Sequence, residues 1–166
     1  MPDSAIGEAI SGAIGYVTAH PEEARYTDSA AIAILREGLA VTVTGPDGVV
    51  VQTDMPNSVG GHGAGPSPGW LLRAAQASCL ATLIAMRAAQ LGLEYGAIEV
   101  TVDSESDDRG ILGIDESVPA GPLSSRARVK VKLADGSLEE LVKWADAHCP
   151  VQDAVRRAVP CTLALV

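Results

Sequence analysis

The sequence contains no phenylalanine, and aromatic residues make up only 3% of its 166 positions. Its core must therefore be built from Ala, Val, Leu and Ile, and a surface of aromatic rings that stacks on nucleic-acid bases is not expected. Basic residues are also scarce, because 12 Lys and Arg stand against 21 Asp and Glu, which gives a net charge of −9. This charge argues against a nucleic-acid phosphate backbone or an anionic membrane surface as the main partner.

Cysteine is scarce as well, with three residues in the whole chain. An odd number of cysteines does not make a structural disulfide framework, so we interpret them as buried thiols or as redox-active groups. The N-terminus lacks a basic segment followed by an apolar run, so no secretory signal is expected and we predict a cytoplasmic protein. The length predicts a single domain with one core.

Residues 68–91 are predicted to form one long helix. Ser67 is a suitable N-cap, Pro68 fits the first helical position, and Gly92 can take the left-handed conformation that ends a helix. The few long polar side chains fall on one narrow edge: Arg73, Gln76, Arg87 and Gln90. The rest of the circumference is apolar, which predicts a buried helix. Its polar interruptions suit a protein interior better than a bilayer. Cys79 lies on a different stripe of this helix.

The remaining chain alternates helical and strand patterns. We predict helices at 3–19, 137–147 and 150–158, strands at 98–103 and 123–133, and a final strand at 161–166. Strands 30–44 and 49–53 are predicted to form a hairpin, which allows a bulge near Glu37-Gly38. Helices clustered against an antiparallel sheet indicate the α+β class.

Two segments resemble ligand-binding loops only superficially. The glycine-rich stretch 54–65 is interpreted as a flexible connector, with close approach of its backbone to a ligand as the alternative. The acidic run 103–110 lacks the glycine and the terminal glutamate of a calcium loop, so we interpret it as a solvated loop. His62 and His148 do not have zinc-site spacing. Neither a metal nor a cofactor is predicted.

Two cysteine motifs, taken together, resemble the OsmC/Ohr family of peroxiredoxin-like proteins. The first is Pro66-Ser67-Pro68 leading into a helix with Ala77-Ser78-Cys79, and the second is His148-Cys149-Pro150-Val151 followed by Arg156-Arg157-Ala158-Val159-Pro160. The resemblance covers about residues 33–166. We therefore divide the chain into an N-terminal helical extension, residues 1–28, and an OsmC-like domain, residues 29–166.

The resemblance implies a two-layer α+β fold in which two chains intertwine as a homodimer, with long central helices and active sites at the subunit interface. It also implies thiol peroxidase activity towards organic hydroperoxides. The family's peroxidatic cysteine falls on Cys79 and its resolving cysteine on Cys149. An external dithiol, of the lipoyl type if the family is a guide, would reduce the disulfide again.

The thiolate of such a peroxidase needs a positive charge. Cys79 lies three turns inside its helix, where the helix dipole has faded, so a cation must be supplied by the tertiary structure. The family uses an arginine held by a glutamate, but the glutamate's place, ten residues before Cys79, is occupied by Gly69. Arg36, or less well Arg25, is the candidate arginine.

The two other cysteines were weighed by their positions. Cys149 is expected at the N-cap of a short helix, where free N–H groups favour a thiolate. Cys161, in the predicted final strand, is expected in the core. Because the glutamate is missing, the alternative function is a non-catalytic member of the same fold that binds a small hydrophobic ligand at the dimer interface.

Overall fold

The computed structural model describes residues 4–165, which form two compact units. One unit combines the segment up to Gly15 with everything from Arg73 onward, and the other is Tyr16–Leu72. The helices are α1 Ser4–Ala19, α2 Pro68–Gln90, α3 Asp108–Ile111, α4 Leu138–His148 and α5 Pro150–Arg156. The strands are β1 Ile32–Leu35, β2 Val41–Thr44, β3 Val50–Thr53, β4 Glu99–Glu105 and β5 Ser124–Lys130. The predicted α+β class is confirmed.

The smaller unit contains a three-stranded antiparallel sheet in the order β1-β2-β3. The sequence predicted one strand over 30–44, but Gly38 adopts φ +60° and turns the chain between Leu35 and Val41. That left-handed conformation suits glycine and ends a strand, so the predicted hairpin is a three-stranded meander. Apolar side chains of this sheet remain exposed, including Ile32, Ile34 and Val50.

The glycine-rich loop after β3 is organised by Asp54, whose side chain is buried. Its carboxylate accepts backbone N–H groups of Met55 at 2.7 Å, His62 at 3.0 Å and Ala64 at 3.1 Å. A β-carbon at residue 61 would lie 1.9 Å from the Met55 carbonyl oxygen, so only glycine fits there. The loop is therefore a hydrogen-bonded turn around one carboxylate, and the interpretation as a flexible connector is wrong.

The larger unit has its core between α2, α4 and the β4–β5 pair. The fully buried members are Ile84 and Ala88 from α2 and Leu141 and Ala145 from α4. Val129 of β5 packs on them from the sheet. On the exposed side of the sheet, charged side chains pair across the strands: Asp103 with Arg126 and Arg128, and Glu99 with Lys130. In β5 only Val129 is partly buried, while the basic residues on either side of it are exposed.

Helix α2 has the predicted ends. The Ser67 hydroxyl accepts the Trp70 N–H at 3.2 Å, and Gly92 has φ +68°. The prediction that the helix is buried around most of its circumference is wrong for the single chain, where one stripe containing Leu80, Ile84 and Ala88 is buried. By length and apolar composition α2 could cross a bilayer, but the core helix of a globular protein passes the same test.

Segments near the two chain ends differ in how well the sequence predicted them. Helix α1 begins within one residue of the prediction, although Asp3 lies outside the described residues. At Gly7 an added β-carbon would lie 2.9 Å from the Ala89 carbonyl oxygen, so α1 crosses the end of α2 closely. The domain boundary near residue 28 stays a prediction.

The C-terminal segment differs from the sequence prediction in its secondary structure and in the burial of Cys161. Residues 161–165 have no regular secondary structure, and the side chains of Leu163 and Leu165 are fully exposed, so the final strand is wrong as far as it lies within the described residues. Cys161 is exposed, which contradicts its expected place in the core. Without burial of its side chains, an apolar sequence alone does not stabilise a strand.

The acidic run 103–110 also differs from its prediction. Residues 108–111 form the single-turn helix α3, where a solvated loop was expected. The Asp107 carboxylate caps this helix by accepting the Arg109 N–H at 3.0 Å and also binds the Arg109 guanidinium. The cap accounts for the helix, because Asp is among the preferred N-cap residues.

Candidate functional site

The Cys79 and Cys149 thiols, 70 residues apart in sequence, lie close enough for Cys149 to raise the pKa of Cys79. Cys79 is presented by the third turn of α2, and Cys149 is the single residue that separates α4 from α5. Cys149 is fully buried and Cys79 is half-buried. Both are free cysteines, so the site contains a pair of thiols.

The electrostatics at Cys79 favour the thiol over the thiolate. Burial raises the pKa of Cys79, and the hydrogen bond and charge of Cys149 raise it further. The backbone N–H of Val151, in the first turn of α5, donates to the Cys79 sulfur and acts in the opposite direction. The sequence led us to expect these N–H groups at Cys149, but the Cys149 side chain accepts no capping hydrogen bond. These contacts alone leave Cys79 less acidic than an ordinary cysteine.

Beside the thiol pair lies a buried polar network that the sequence did not reveal. The Gln76 Nε2 donates to the Gln152 Oε1 at 2.7 Å, and the Gln76 Oε1 accepts the Ser125 hydroxyl at 3.3 Å. The two glutamines are 3% and 9% exposed. Gln76 had been placed on the polar edge of α2. The available signal was its spacing, because Gln76 precedes Cys79 by three residues and Gln152 follows Cys149 by three.

The network continues to an ion pair between α4 and α5. The Gln152 Nε2 donates to Asp146 at 3.1 Å, and the Arg156 guanidinium binds both Asp146 oxygens at 2.6 and 2.7 Å. Burial opposes ionisation of Asp146, but the Arg156 and Gln152 hydrogen bonds together hold its pKa below the ordinary value. The carboxylate therefore stays charged at neutral pH and remains an acceptor for both partners.

An open groove of about 870 Å³ runs along the same unit. Polar groups of the network line one part of it, and apolar side chains from α2, α4 and β5 line another: Leu80, Ala127, Val129, Leu138 and Val142. Such a mixed lining is typical of sites for small, largely apolar molecules.

The predicted arginine lies in the other unit. Arg36 directly follows β1, is exposed, and lines a hollow of about 350 Å³ with Ile34, Glu37, Ala40 and Thr42. Arg25, the less favoured candidate, is also exposed. The structure thus brings together the two predicted cysteines, while the role of Arg36 stays a prediction.

The two histidines weighed as metal ligands have other contacts. The His148 ring stacks on Trp144, and its Nδ1 lies 2.8 Å from the Trp144 carbonyl oxygen. His62 donates its backbone N–H to Asp54. Within residues 4–165, no group of three His, Cys, Asp or Glu side chains could hold a metal ion.

Gly69 offers a test of what the missing glutamate does to α2. A β-carbon there would meet the Ser67 Oγ at 3.9 Å, which is ordinary van der Waals contact. Gly69→Ala is expected to raise the free energy of unfolding by about 0.5–1 kcal/mol, because glycine loses more backbone entropy. Gly69→Glu should add about 0.3–1 kcal/mol more, since an acidic side chain in the first turn favours the helix dipole. Urea unfolding measures both, and a glutamate variant no more stable than the alanine variant would contradict the dipole contribution.

Comparison with known proteins agrees with this architecture. Residues 61–164 match the OsmC-like protein family. The fold is similar to that of an OsmC-like protein from Mycoplasma pneumoniae, with 12% identity, a TM-score of 0.68 and coverage of 81% of this chain and 91% of that one. No curated protein matches the sequence.

Two further solved structures carry a functional name. An organic hydroperoxide resistance protein OsmC from Legionella pneumophila is 23% identical, with a TM-score of 0.57 and coverage of 80% and 91% of the two chains. The organic hydroperoxide resistance protein OhrB of Bacillus subtilis is 26% identical, with a TM-score of 0.50 and coverage of 80% and 93%. Because the family match runs from the glycine-rich loop to the segment after α5, well over half of the chain, this chain belongs to the OsmC/Ohr family of OsmC-like proteins.

Proposed function

We propose that this protein is a thiol-dependent peroxidase that reduces organic hydroperoxides, with Cys79 as the attacking residue and Cys149 as the resolving residue. The observation that carries the proposal is the proximity of the two thiols, of which one is half-buried and the other fully buried. A thiol pair that can close into a disulfide is what a two-cysteine peroxidase requires.

The proposed cycle has two steps within the protein. The Cys79 thiolate attacks the O–O bond of the hydroperoxide, takes the terminal oxygen as a sulfenic acid, and an alcohol leaves after one proton is taken up. The Cys149 sulfur then attacks the Cys79 sulfur, a disulfide forms and water leaves. An external dithiol of the lipoyl type returns two electrons and two protons by thiol–disulfide exchange.

The names of two relatives support the proposed substrate class, and exposed apolar side chains support the proposed homodimer. Two relatives of similar fold are named for organic hydroperoxide resistance. The exposed apolar side chains on the β1–β3 sheet, Ile32 and Ile34 among them, are what an intertwined homodimer would cover. We place the enzyme in the cytoplasm, where dithiol reductants keep such cysteines cycling.

We further propose that Arg36 supplies the positive charge at Cys79 in the homodimer. Burial and Cys149 raise the Cys79 pKa, so a thiolate at neutral pH needs a cation to offset them. Arg36 is exposed in the turn after β1, so its guanidinium is free to approach a partner surface. Without the family's glutamate at position 69, this guanidinium is less rigidly aimed.

Mass spectrometry after one equivalent of peroxide tests the function directly. The reduced protein is mixed with cumene hydroperoxide, alkylated and digested, and the expected product is a Cys79–Cys149 disulfide with Cys161 still alkylated. Cumyl alcohol should appear in equal amount. Three alkylated cysteines and intact hydroperoxide would contradict the proposal.

The alternative is a non-catalytic protein that binds a small hydrophobic ligand. Two observations favour it: the raised pKa of Cys79 and the partly apolar groove of about 870 Å³. Glycine at position 69 points the same way. In the peroxide experiment this alternative leaves all three thiols unmodified, so the same spectra decide between the two functions.

A further inference from the structure

We propose that Gln76 and Gln152 form a positioning pair that holds Cys79 and Cys149 at the separation needed for disulfide formation. The inference rests on the proposed function, because it assigns a task within the same thiol pair. Neither glutamine touches the reacting oxygen in this proposal. They act through the helices that carry the two sulfurs.

The hydrogen bond between the two glutamines joins α2, which carries Cys79, to α5, whose N-cap is Cys149. Gln76 and Cys79 belong to α2 and are one turn apart, while Gln152 lies one turn beyond Cys149 on α5. The 2.7 Å bond between their amides therefore spans the same pair of helices as the thiol pair. A shift of α5 along or away from α2 would have to break this bond.

Burial makes the hydrogen bond between Gln76 and Gln152 costly to break. Both side chains are at least nine-tenths buried, and an amide that loses its partner in such a place keeps the cost of its lost hydration. The other ends are also occupied, Gln76 by Ser125 and Gln152 by Asp146. The pair is thus a fully satisfied network with one favoured geometry.

The ion pair between Asp146 and Arg156 fixes the bend between α4 and α5 that contains Cys149. Only this residue separates α4 from α5, with φ −78° and ψ 113°. Asp146 of α4 binds Arg156 of α5 through two short hydrogen bonds, so the ends of the bend are clamped. Gln152 hydrogen-bonds to both Asp146 and Gln76, so it connects this ion pair to α2. These bonds hold the Cys149 sulfur near Cys79.

A disulfide is sensitive to such placement, because its α-carbons must lie about 4.4–6.8 Å apart with a narrow dihedral range. When two thiols are held ready, closing the S–S bond costs less ordering, and the oxidised form is favoured. Loosening the pair should shift the equilibrium between dithiol and disulfide towards the dithiol. The acidity of Cys79 should change as well, because Cys149 and the Val151 N–H of α5, whose placement depends on the pair, are among the groups that shift its pKa.

The experiment uses the full-length protein with Cys161→Ser, which removes the exposed third thiol. Gln76→Met and Gln152→Met keep the side-chain length and lose the amide, and Gln90→Met is the matched control on α2. Each protein is equilibrated with reduced and oxidised dithiothreitol, and alkylation measures the Cys79–Cys149 disulfide. The rate of Cys79 alkylation in the reduced proteins is measured as a function of pH. Circular dichroism verifies folding.

The equilibrium constant for the disulfide is expected to fall about tenfold in each glutamine variant, which is about 30 mV for a two-electron couple. The double variant should resemble the single ones, because each single variant already breaks the bond between the two amides, and Gln90→Met should match the parent. The pH profile of Cys79 alkylation should move in the glutamine variants, because Cys149 and the Val151 N–H shift the Cys79 pKa only while they stay in place, and it should match the parent in Gln90→Met. If one variant fails to fold, the other carries the same expectation.

Several results would overturn the positioning role. These are an unchanged equilibrium constant in folded variants, an equal loss in Gln90→Met, failure of both variants to fold, or a parent protein that forms no Cys79–Cys149 disulfide at any dithiothreitol ratio. No peroxide enters the experiment. If the parent does not react with peroxide but the glutamine variants show the expected fall in the disulfide equilibrium constant, the peroxidase function is refuted and the positioning role is retained.

Discussion

Replacing Cys79 by serine is expected to reduce cumene hydroperoxide consumption to the rate seen without protein. A serine hydroxyl is far too weakly acidic and nucleophilic to attack the O–O bond, and Cys149, the next sulfur, is fully buried. Cys149→Ser should behave differently. It should consume one equivalent of peroxide and stop, because the Cys79 sulfenic acid then has no resolving thiol. Peroxide consumption with an excess dithiol, followed over time, distinguishes these outcomes.

Cys161→Ser is the matched control for both variants. Cys161 is exposed and lies in the irregular C-terminal segment, so its loss should leave the turnover rate unchanged. Retained turnover in Cys79→Ser would move the attacking role to another sulfur. A Cys149→Ser protein that turns over like the parent would mean that the external dithiol reduces the sulfenic acid directly.

Arg36→Ala is expected to lower the rate of peroxide reduction at pH 7 by about tenfold or more. A cation within about 4–6 Å lowers a thiol pKa by roughly 1–3 units, so its removal decreases the thiolate population correspondingly. The sign is clear from the described contacts, since burial and Cys149 already raise the Cys79 pKa. Without the guanidinium, the pH profile of Cys79 alkylation should move to higher pH and meet the parent profile in alkaline solution.

Arg36→Lys and Arg25→Ala complete this series. Lysine keeps the charge but not the planar fork, so an intermediate rate is expected. Arg25→Ala should match the parent, because Arg25 is the less favoured candidate. A shifted profile in Arg25→Ala together with a normal one in Arg36→Ala would transfer the activating role to Arg25.

Local signals in the sequence were sufficient for most of the helices. Ser67, Pro68 and Gly92 define the ends of α2 through capping and backbone preference, which depend on nearby residues alone. Ser137 does the same for α4, where its hydroxyl accepts the Glu140 N–H at 3.2 Å. Such features need no knowledge of the tertiary structure, so they can be predicted well.

Features that depend on distant partners were the ones missed. The glycine at position 38 allowed a bulge but did not show that it turns the chain fully, and an apolar C-terminal segment does not show that Leu163 stays exposed. Gln76 was assigned to a polar edge because its partner lies 76 residues away. The spacing of Gln76 from Cys79 places the two residues one helical turn apart, but only the fold reveals that this amide is buried against Gln152.

The unequal exposure of the two sulfurs gives the proposed cycle a direction. Once the disulfide has closed, an incoming dithiol can reach the half-buried Cys79 but not Cys149, which is 0% exposed. Exchange must then begin at Cys79, so the mixed disulfide forms there and Cys149 is the leaving group. The residue that met the oxidant would also receive the reductant, and the buried sulfur would never bond to any molecule outside the protein.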